Sequence, residues 1–85
     1  MDLIEIKFNK YIHKVKKLEN ISNENKLYLY ANYKQAIEGD INITEPSFFN
    51  LKDNAKWKAW NEIKGISKES AMKNYIKKVK ELYKE

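Results

Sequence analysis

At 85 residues the chain has room for one domain around a single small core. It has no cysteine, which excludes disulfides and thiolate metal sites as its staples and suits a reducing compartment. Its net charge of +5 is carried without any arginine. A lysine-only surface favours diffuse attraction to phosphates, acidic proteins or lipid headgroups over base-edge readout.

The first predicted helix runs from about Asp2 to Leu18. Ile4, Phe8, Tyr11, Ile12, Val15 and Leu18 form its apolar stripe, with lysines on the other faces. His13 lies beside the stripe, and a single histidine makes a poor metal site. Residues 19–25 are polar and read as a connection. Ser22 is placed to cap a second helix that carries Glu24 in its first turn and runs to Glu38. Gly39 suits the left-handed position just past its end.

Two faces of this second helix are readable. Leu27, Tyr30, Ala31 and Lys34 share one, and Leu29, Tyr33, Ala36 and Ile37 the other. Tyr30, Tyr33 and Lys34 fall within about one turn of each other. Two phenols and an ammonium on one surface suit a flat aromatic ring and a phosphate. The same spacing equally suits half-buried packing residues with wet tips.

Residues 40–52 have no sustained period and contain the single proline, Pro46. So long a loop is often functional in a small domain. Ile41, Ile43, Phe48, Phe49 and Leu51 are expected to tuck it against the core. Asp53 is expected to cap a third, short helix to about Lys64, with Trp57, Trp60 and Ile63 on one side. Gly65 ends it. Ser67 caps the fourth helix, whose stripe is Ala71, Met72, Tyr75, Ile76, Val79, Leu82 and Tyr83. No segment alternates with period two, so no sheet is expected. The fold class is all-α, a bundle of about four helices in one domain, 1–85.

Chemistry is conspicuously missing. Two isolated glycines cannot form a phosphate loop. One histidine without cysteine gives no nucleophilic triad, and the scattered carboxylates lie on lysine-rich faces. Binding is expected, not catalysis, and neither a cofactor nor a metal. The N-terminus does not read as a secretory signal, no lipidation motif ends the chain, and no stretch reaches the roughly 20 apolar residues of a membrane span. The expectation is a soluble cytoplasmic protein.

Longer strings carry more than periodicity. Tyr30-Ala-Asn-Tyr-Lys-Gln-Ala36, Gly39-Asp-Ile-Asn42 and Pro46 resemble the second helix and following loop of the acyl-CoA-binding protein family. Ala55-Lys-Trp-Lys-Ala-Trp-Asn61, Lys64-Gly-Ile-Ser-Lys-Glu69, Ala71-Met72 and Tyr75-Ile76 resemble its third and fourth helices. The match is dense from Leu27 to Leu82 and looser in the first helix, through Phe8, Val15, Lys16 and Leu18. The resemblance implies a four-helix up-down-down-up bundle that holds medium- to long-chain fatty acyl-CoA thioesters as an intracellular carrier and pool former. By the same resemblance, Tyr30, Lys34 and Lys56 engage the ribose 3′-phosphate and Tyr33 packs beside the adenine. Ala31 and Asn32 lie in the contacting segment, and Lys16, Lys52 and Tyr75 line the ligand.

The sequence also departs from the family pattern. Asn54 stands where many members have a lysine, which would remove a nearby cationic contact. The first connection is one residue shorter and lacks a usual proline. Tyr11 occupies a position that is usually small; pointed into the acyl groove, it would shorten or reroute the chain path. The expected partner is the thioester, with transient contacts to acyl-CoA-using enzymes or membrane surfaces, no nucleic acid, and a monomeric state. Two other readings stay open on the residues alone. A lysine-rich nucleic-acid module would lose affinity steeply with salt. An interaction bundle would offer its apolar groove to a partner helix.

Overall fold

The structure is a computed structural model, and it describes residues 2–84. Met1 and Glu85, the ends of the expected 1–85 domain, lie outside the described residues. Four helices make up the fold: α1 (Leu3–Val15), α2 (Asn23–Glu38), α3 (Leu51–Glu62) and α4 (Lys68–Tyr83). Among the described residues there is no strand.

Local chemistry sets the helix ends. Asp2 accepts from the Glu5 N–H at 3.2 Å, Ser22 from Asn25 at 3.1 Å and Ser67 from Ser70 at 3.0 Å. Each satisfies a backbone donor that the helix leaves unpaired. The cap of α3 is Asn50, not the expected Asp53. Asn50 accepts from the Asp53 N–H at 3.4 Å and donates its amide to the Asp53 carboxylate at 2.8 Å. A cap and the acidic residue three positions on satisfy each other, so the helix starts a turn earlier. The first helix ends at Val15 and tightens into i, i+3 turns through Leu18, short of its expected end. Gly39 has φ 83° and ψ −149°. It has the expected positive φ, but in a region open essentially to glycine alone.

The helices pack in the spatial order α1, α4, α2, α3. Hydrogen bonds between remote residues fix their directions. The Tyr83 hydroxyl donates to the Lys14 carbonyl at 2.6 Å, joining the C-terminal ends of α4 and α1. Trp60 donates to Gln35 at 3.0 Å, joining the C-terminal ends of α3 and α2. Gln35 also donates to the Ile66 carbonyl at 2.7 Å, beside the start of α4. Hence α2 and α3 run parallel to each other and opposite to α1 and α4, the up-down-down-up order. Two parallel neighbours need a return connection, which is why residues 39–50 are long.

The core is Phe8 and Tyr11 from α1, Leu29 and Ala36 from α2, and Ala71, Tyr75, Ile76 and Val79 from α4. Polar residues are buried with them. Asn32 bridges to α4 by accepting from Asn74 at 3.1 Å, and donates to the Tyr28 carbonyl at 3.0 Å. Among the described residues, no buried side-chain nitrogen or oxygen lacks a partner. The cost of burying such groups is therefore met.

The connection 39–50 is held differently from expectation. Ile43, Phe48, Phe49 and the adjoining Leu51 stay exposed instead of tucking inward. Polar clamps do the holding. Asn54 donates to Glu45 and to the Pro46 carbonyl, both at 2.9 Å, and Trp57 donates to the Ile43 carbonyl at 2.8 Å. Asp40 accepts from Gln35 at 2.8 Å and from the Gly65 N–H at 2.7 Å.

Candidate functional site

The bundle measures 37 × 29 × 15 Å over its Cα atoms. Its surface carries open grooves that could take a ligand. Two lie side by side. An open groove of about 320 Å³ is walled by Val15, Ile21, Leu29, Tyr30, Tyr33 and Tyr75. A recess of about 450 Å³ has Leu27, Leu51 and Ala55 as its apolar surface and Lys52 and Lys56 at its rim. Lys26 lines both.

The tyrosines reach the groove from different sides of α2, Tyr33 beside Phe8 of α1 and Tyr30 beside Lys56 of α3. Phe8 is the brace. Its ring lies 6.2 Å from Tyr33 at 29° and 5.2 Å from Tyr75 at 78°, offset and edge contacts that suit aromatic quadrupoles. Tyr33 keeps 38% of its surface exposed, while Tyr75 keeps 5%. Burial, and then the neighbouring Tyr33, push the Tyr75 phenol above its ordinary value. It stays a neutral donor through the physiological range.

Cations approach this wall from two helices. The Lys56 ammonium of α3 stands 5.4 Å from the Tyr30 ring centre, and Lys34 of α2 stands 5.1 Å from the Trp60 ring centre. Lys34 also pairs with Glu38 one turn on. That hydrogen bond raises the Lys34 pKa, partial burial opposes it, and the charges of Glu38, Tyr30 and Tyr33 add to it. Tyr30, Tyr33, Lys34 and Lys56 therefore form one aromatic and cationic surface. It can stack a flat ring, donate phenolic hydrogen bonds and hold an anion.

The other expected positions are placed differently. Lys52 is exposed at the recess rim. Lys16 caps α1 as an exposed residue next to Val15 and lines neither cavity. Asn32 is wholly buried and its amide serves the α2–α4 seam, and Ala31 is 2% exposed; both edge a separate recess of about 460 Å³ between α2 and α3, with Leu27, Ala55 and Ala59. Asn54 is buried, and its amide N–H groups clamp the loop. Tyr11 does not point into the groove, contrary to the route by which it would shorten an acyl path. It is 6% exposed within the core cluster, and the Lys10, Lys14 and Lys80 ammoniums stand 4.9 to 5.9 Å from its ring centre.

Lys26 was not singled out from the sequence. Its spacing to Tyr30 and Tyr33, i+4 and i+7, was the signal that could have found it. Ile21, in the short connection before α2, gave no periodic signal at all.

Comparisons with known proteins bear on the family and the fold. The family described as acyl CoA binding protein matches residues 5–79. The chain is 53% identical over 79 residues to an acyl-CoA-binding domain-containing protein 1 of Oryza sativa subsp. japonica, covering 92% of this chain and 87% of that one. It is 51% identical over 76 residues to an acyl-CoA-binding protein of Ricinus communis, covering 88% and 84%. The crystal structure of Oryza sativa acyl-CoA-binding protein 2 superposes with a TM-score of 0.93 at 48% identity, covering 95% of this chain and 89% of that one. With fold, matched span and identity in agreement, the chain belongs to the acyl-CoA-binding protein family.

Proposed function

We propose that this protein binds medium- to long-chain fatty acyl-CoA thioesters and serves as an intracellular carrier and pool for them. As a member of its family it is a binding protein and not an enzyme. The observation that supports the reading is Lys56 of α3 over the Tyr30 ring, with Lys34 on the next turn of α2 coupled electrostatically to Tyr30 and Tyr33. The adenine stacks against Tyr33 with Tyr75 behind it. The 3′-phosphate lies among Tyr30, Lys34 and Lys56. The pantetheine and acyl tail cross toward Leu27, Leu51 and Ala55 under Lys26 and Lys52. Lys16 contributes long-range attraction only, while Ala31 and Asn32 support the wall from inside.

Energies divide in the same way. A lysine–phosphate pair is worth about 1 kcal/mol or less where exposed and more where partly buried, as at Lys34. Each buried methylene contributes up to about 0.8 kcal/mol. A long tail therefore supplies the larger share even after binding costs are deducted, and the head fixes orientation. Among the described residues no helix is long and apolar enough to cross a membrane. Independently of that, the proposal takes the carrier to be monomeric and cytoplasmic, with transient contacts to enzymes that use acyl-CoA or to membrane surfaces.

Native mass spectrometry of protein purified from cells tests the class, the expected result being a co-purifying mass equal to a fatty acyl-CoA. Calorimetry with free CoA and a series of acyl lengths tests the division of labour. Equal affinity for free CoA and a long-chain thioester would overturn it, as would tighter binding of an oligonucleotide than of either.

A further inference from the structure

Helices α1 and α4 enclose a recess of their own, and its charge is one-sided. It holds about 350 Å³, with Ile4 and Ile76 as its apolar floor and Lys7, Lys73, Lys77 and Lys80 around its rim. Leu3, 69% exposed, adds an apolar side chain one turn before Lys7. Lys10 and Lys80, from different helices, both approach the Tyr11 ring, their ammoniums 5.9 and 5.8 Å from its centre. Lys73 and Lys77 stand two residues to either side of Tyr75, about 200° around α4. The lysine stripe therefore lies behind the aromatic wall and not on it.

Few acids answer these lysines. Lys34 has Glu38 as a partner, and Lys78 has Glu81 at 3.2 Å. Among the described residues, Lys7, Lys10, Lys73, Lys77 and Lys80 make no ion pair. Glu69 shares the α4 stripe one turn before Lys73, and Glu81, one turn after Lys77, is drawn aside by Lys78. On α1, Asp2 caps the helix and Glu5 lies about 200° around it from Lys7. Five ammoniums thus outnumber the two carboxylates of the stripe, and one of those two is engaged. The face keeps a net positive charge.

Apolar floor and cationic rim together select the occupant. A bilayer is flat and meets the lysines without filling a recessed floor. A nucleic-acid duplex uses the lysines but gains nothing from the isoleucines, and without arginine the face lacks the usual base-edge reader. An amphipathic helix with acidic flanks satisfies both. Its apolar side chains, at i, i+3 or i+4, enter between α1 and α4, and its carboxylates meet the rim. We propose that the α1–α4 face docks an acidic amphipathic helix of a partner protein. The docking itself needs no ligand, and it leaves the groove on the other side of α4 open. Its use, holding an enzyme that supplies or consumes the thioester beside the carrier, rests on the acyl-CoA reading above.

The probe is a dye-labelled synthetic peptide of about four helical turns, glutamates with leucines at i, i+3, i+4 and i+7. Ligand-free protein is titrated into it and followed by fluorescence anisotropy. The wild-type chain is expected to bind the peptide, more weakly as salt rises. Peptides with serine for leucine, or with glutamine for glutamate, should each bind at least about fivefold more weakly. The variant K73Q/K77Q should lose at least about fivefold. K58E makes the same change in net charge on α3 and should stay within about twofold of wild type. Circular dichroism checks that K73Q/K77Q keeps its helices. Acyl-CoA affinity measured without peptide should be the same for K73Q/K77Q and wild type, which separates failure of docking from failure of the ligand assignment. The proposal is overturned by a wild-type chain that does not bind the acidic leucine peptide, by a folded K73Q/K77Q that binds it normally, by an equal loss in K58E, or by indifference to serine for leucine. Tighter binding of phosphatidylserine vesicles or of a duplex oligonucleotide, lost in K73Q/K77Q, would overturn it equally.

Discussion

The Lys56 ammonium stands 5.4 Å from the centre of the Tyr30 ring, and so ties α3 to the aromatic wall of α2. Lys34 lies on the same helix as that ring, one turn on. Replacing Lys34 by Ala is expected to weaken acyl-CoA binding by about an order of magnitude or more, and Lys56→Ala to weaken it less. The thermal unfolding midpoint should barely move, since both side chains are at least partly exposed. Calorimetry at two salt concentrations checks this; unchanged affinity in a folded Lys34→Ala would remove the assigned phosphate site.

Glu38 competes for the Lys34 ammonium that the phosphate would use. Glu38→Gln removes a negative charge from the edge of the site and frees that lysine. Affinity is expected to rise about two- to fivefold at low salt. A fall in affinity would mean that Glu38 orients Lys34 for the ligand.

Tyr11 belongs to the core between α1 and α4 and not to the groove. Tyr11→Ala should cost about 3 kcal/mol of stability through the cavity it leaves. The acyl length giving tightest binding should stay the same. Denaturant unfolding and a chain-length series measure the two effects separately; a shifted optimum would show that the tail reaches Tyr11.

Asn32 accepts from Asn74 at 3.1 Å across the α2–α4 seam. In Asn32→Ala the Asn74 amide loses its acceptor, and about 1–3 kcal/mol of stability should go with it. Acyl-CoA affinity of the folded variant should stay within a few-fold of wild type, by the same calorimetry. A selective loss of affinity would make Asn32 a contact instead of a support.

Asp40 is held below its ordinary carboxylate value of 3.8, first by the Gly65 N–H, then by Gln35, with Lys64 adding to both. Because its folded pKa is depressed, its contribution is fully present above the unfolded value and disappears as pH falls through the folded one. The acid side of the stability profile should therefore lose part of its slope below about pH 4 in Asp40→Asn. Thermal midpoints across pH 2 to 6, roughly the carboxylate range, check it; parallel profiles would remove Asp40 from the acid transition.

Much was decided by residues within a few positions of each other. Ser22 and Ser67 cap the helices they precede, and Glu38 and Tyr83 close them, because caps and period 3.6 act over one turn. Charge carried by lysine, the missing cysteine and the Tyr30–Lys34 cluster were legible for the same reason. The parallel α2–α3 arrangement came from the family resemblance, since periodicity says nothing of helix direction.

Tertiary structure decided what depends on neighbours remote in the chain. Gln35 reaches Ile66, and Asn32 meets Asn74, so two polar side chains that look solvent-facing lie at 1% and 0% exposure. Asn54 and Trp57 spend their N–H groups on the loop, which leaves its phenylalanines outside instead of in the core. Lys26 joins groove to recess only because α1 and α3 bring their walls to either side of it. A sequence states each side chain's chemistry. Burial, and therefore role, is a property of the surfaces that folding brings against it.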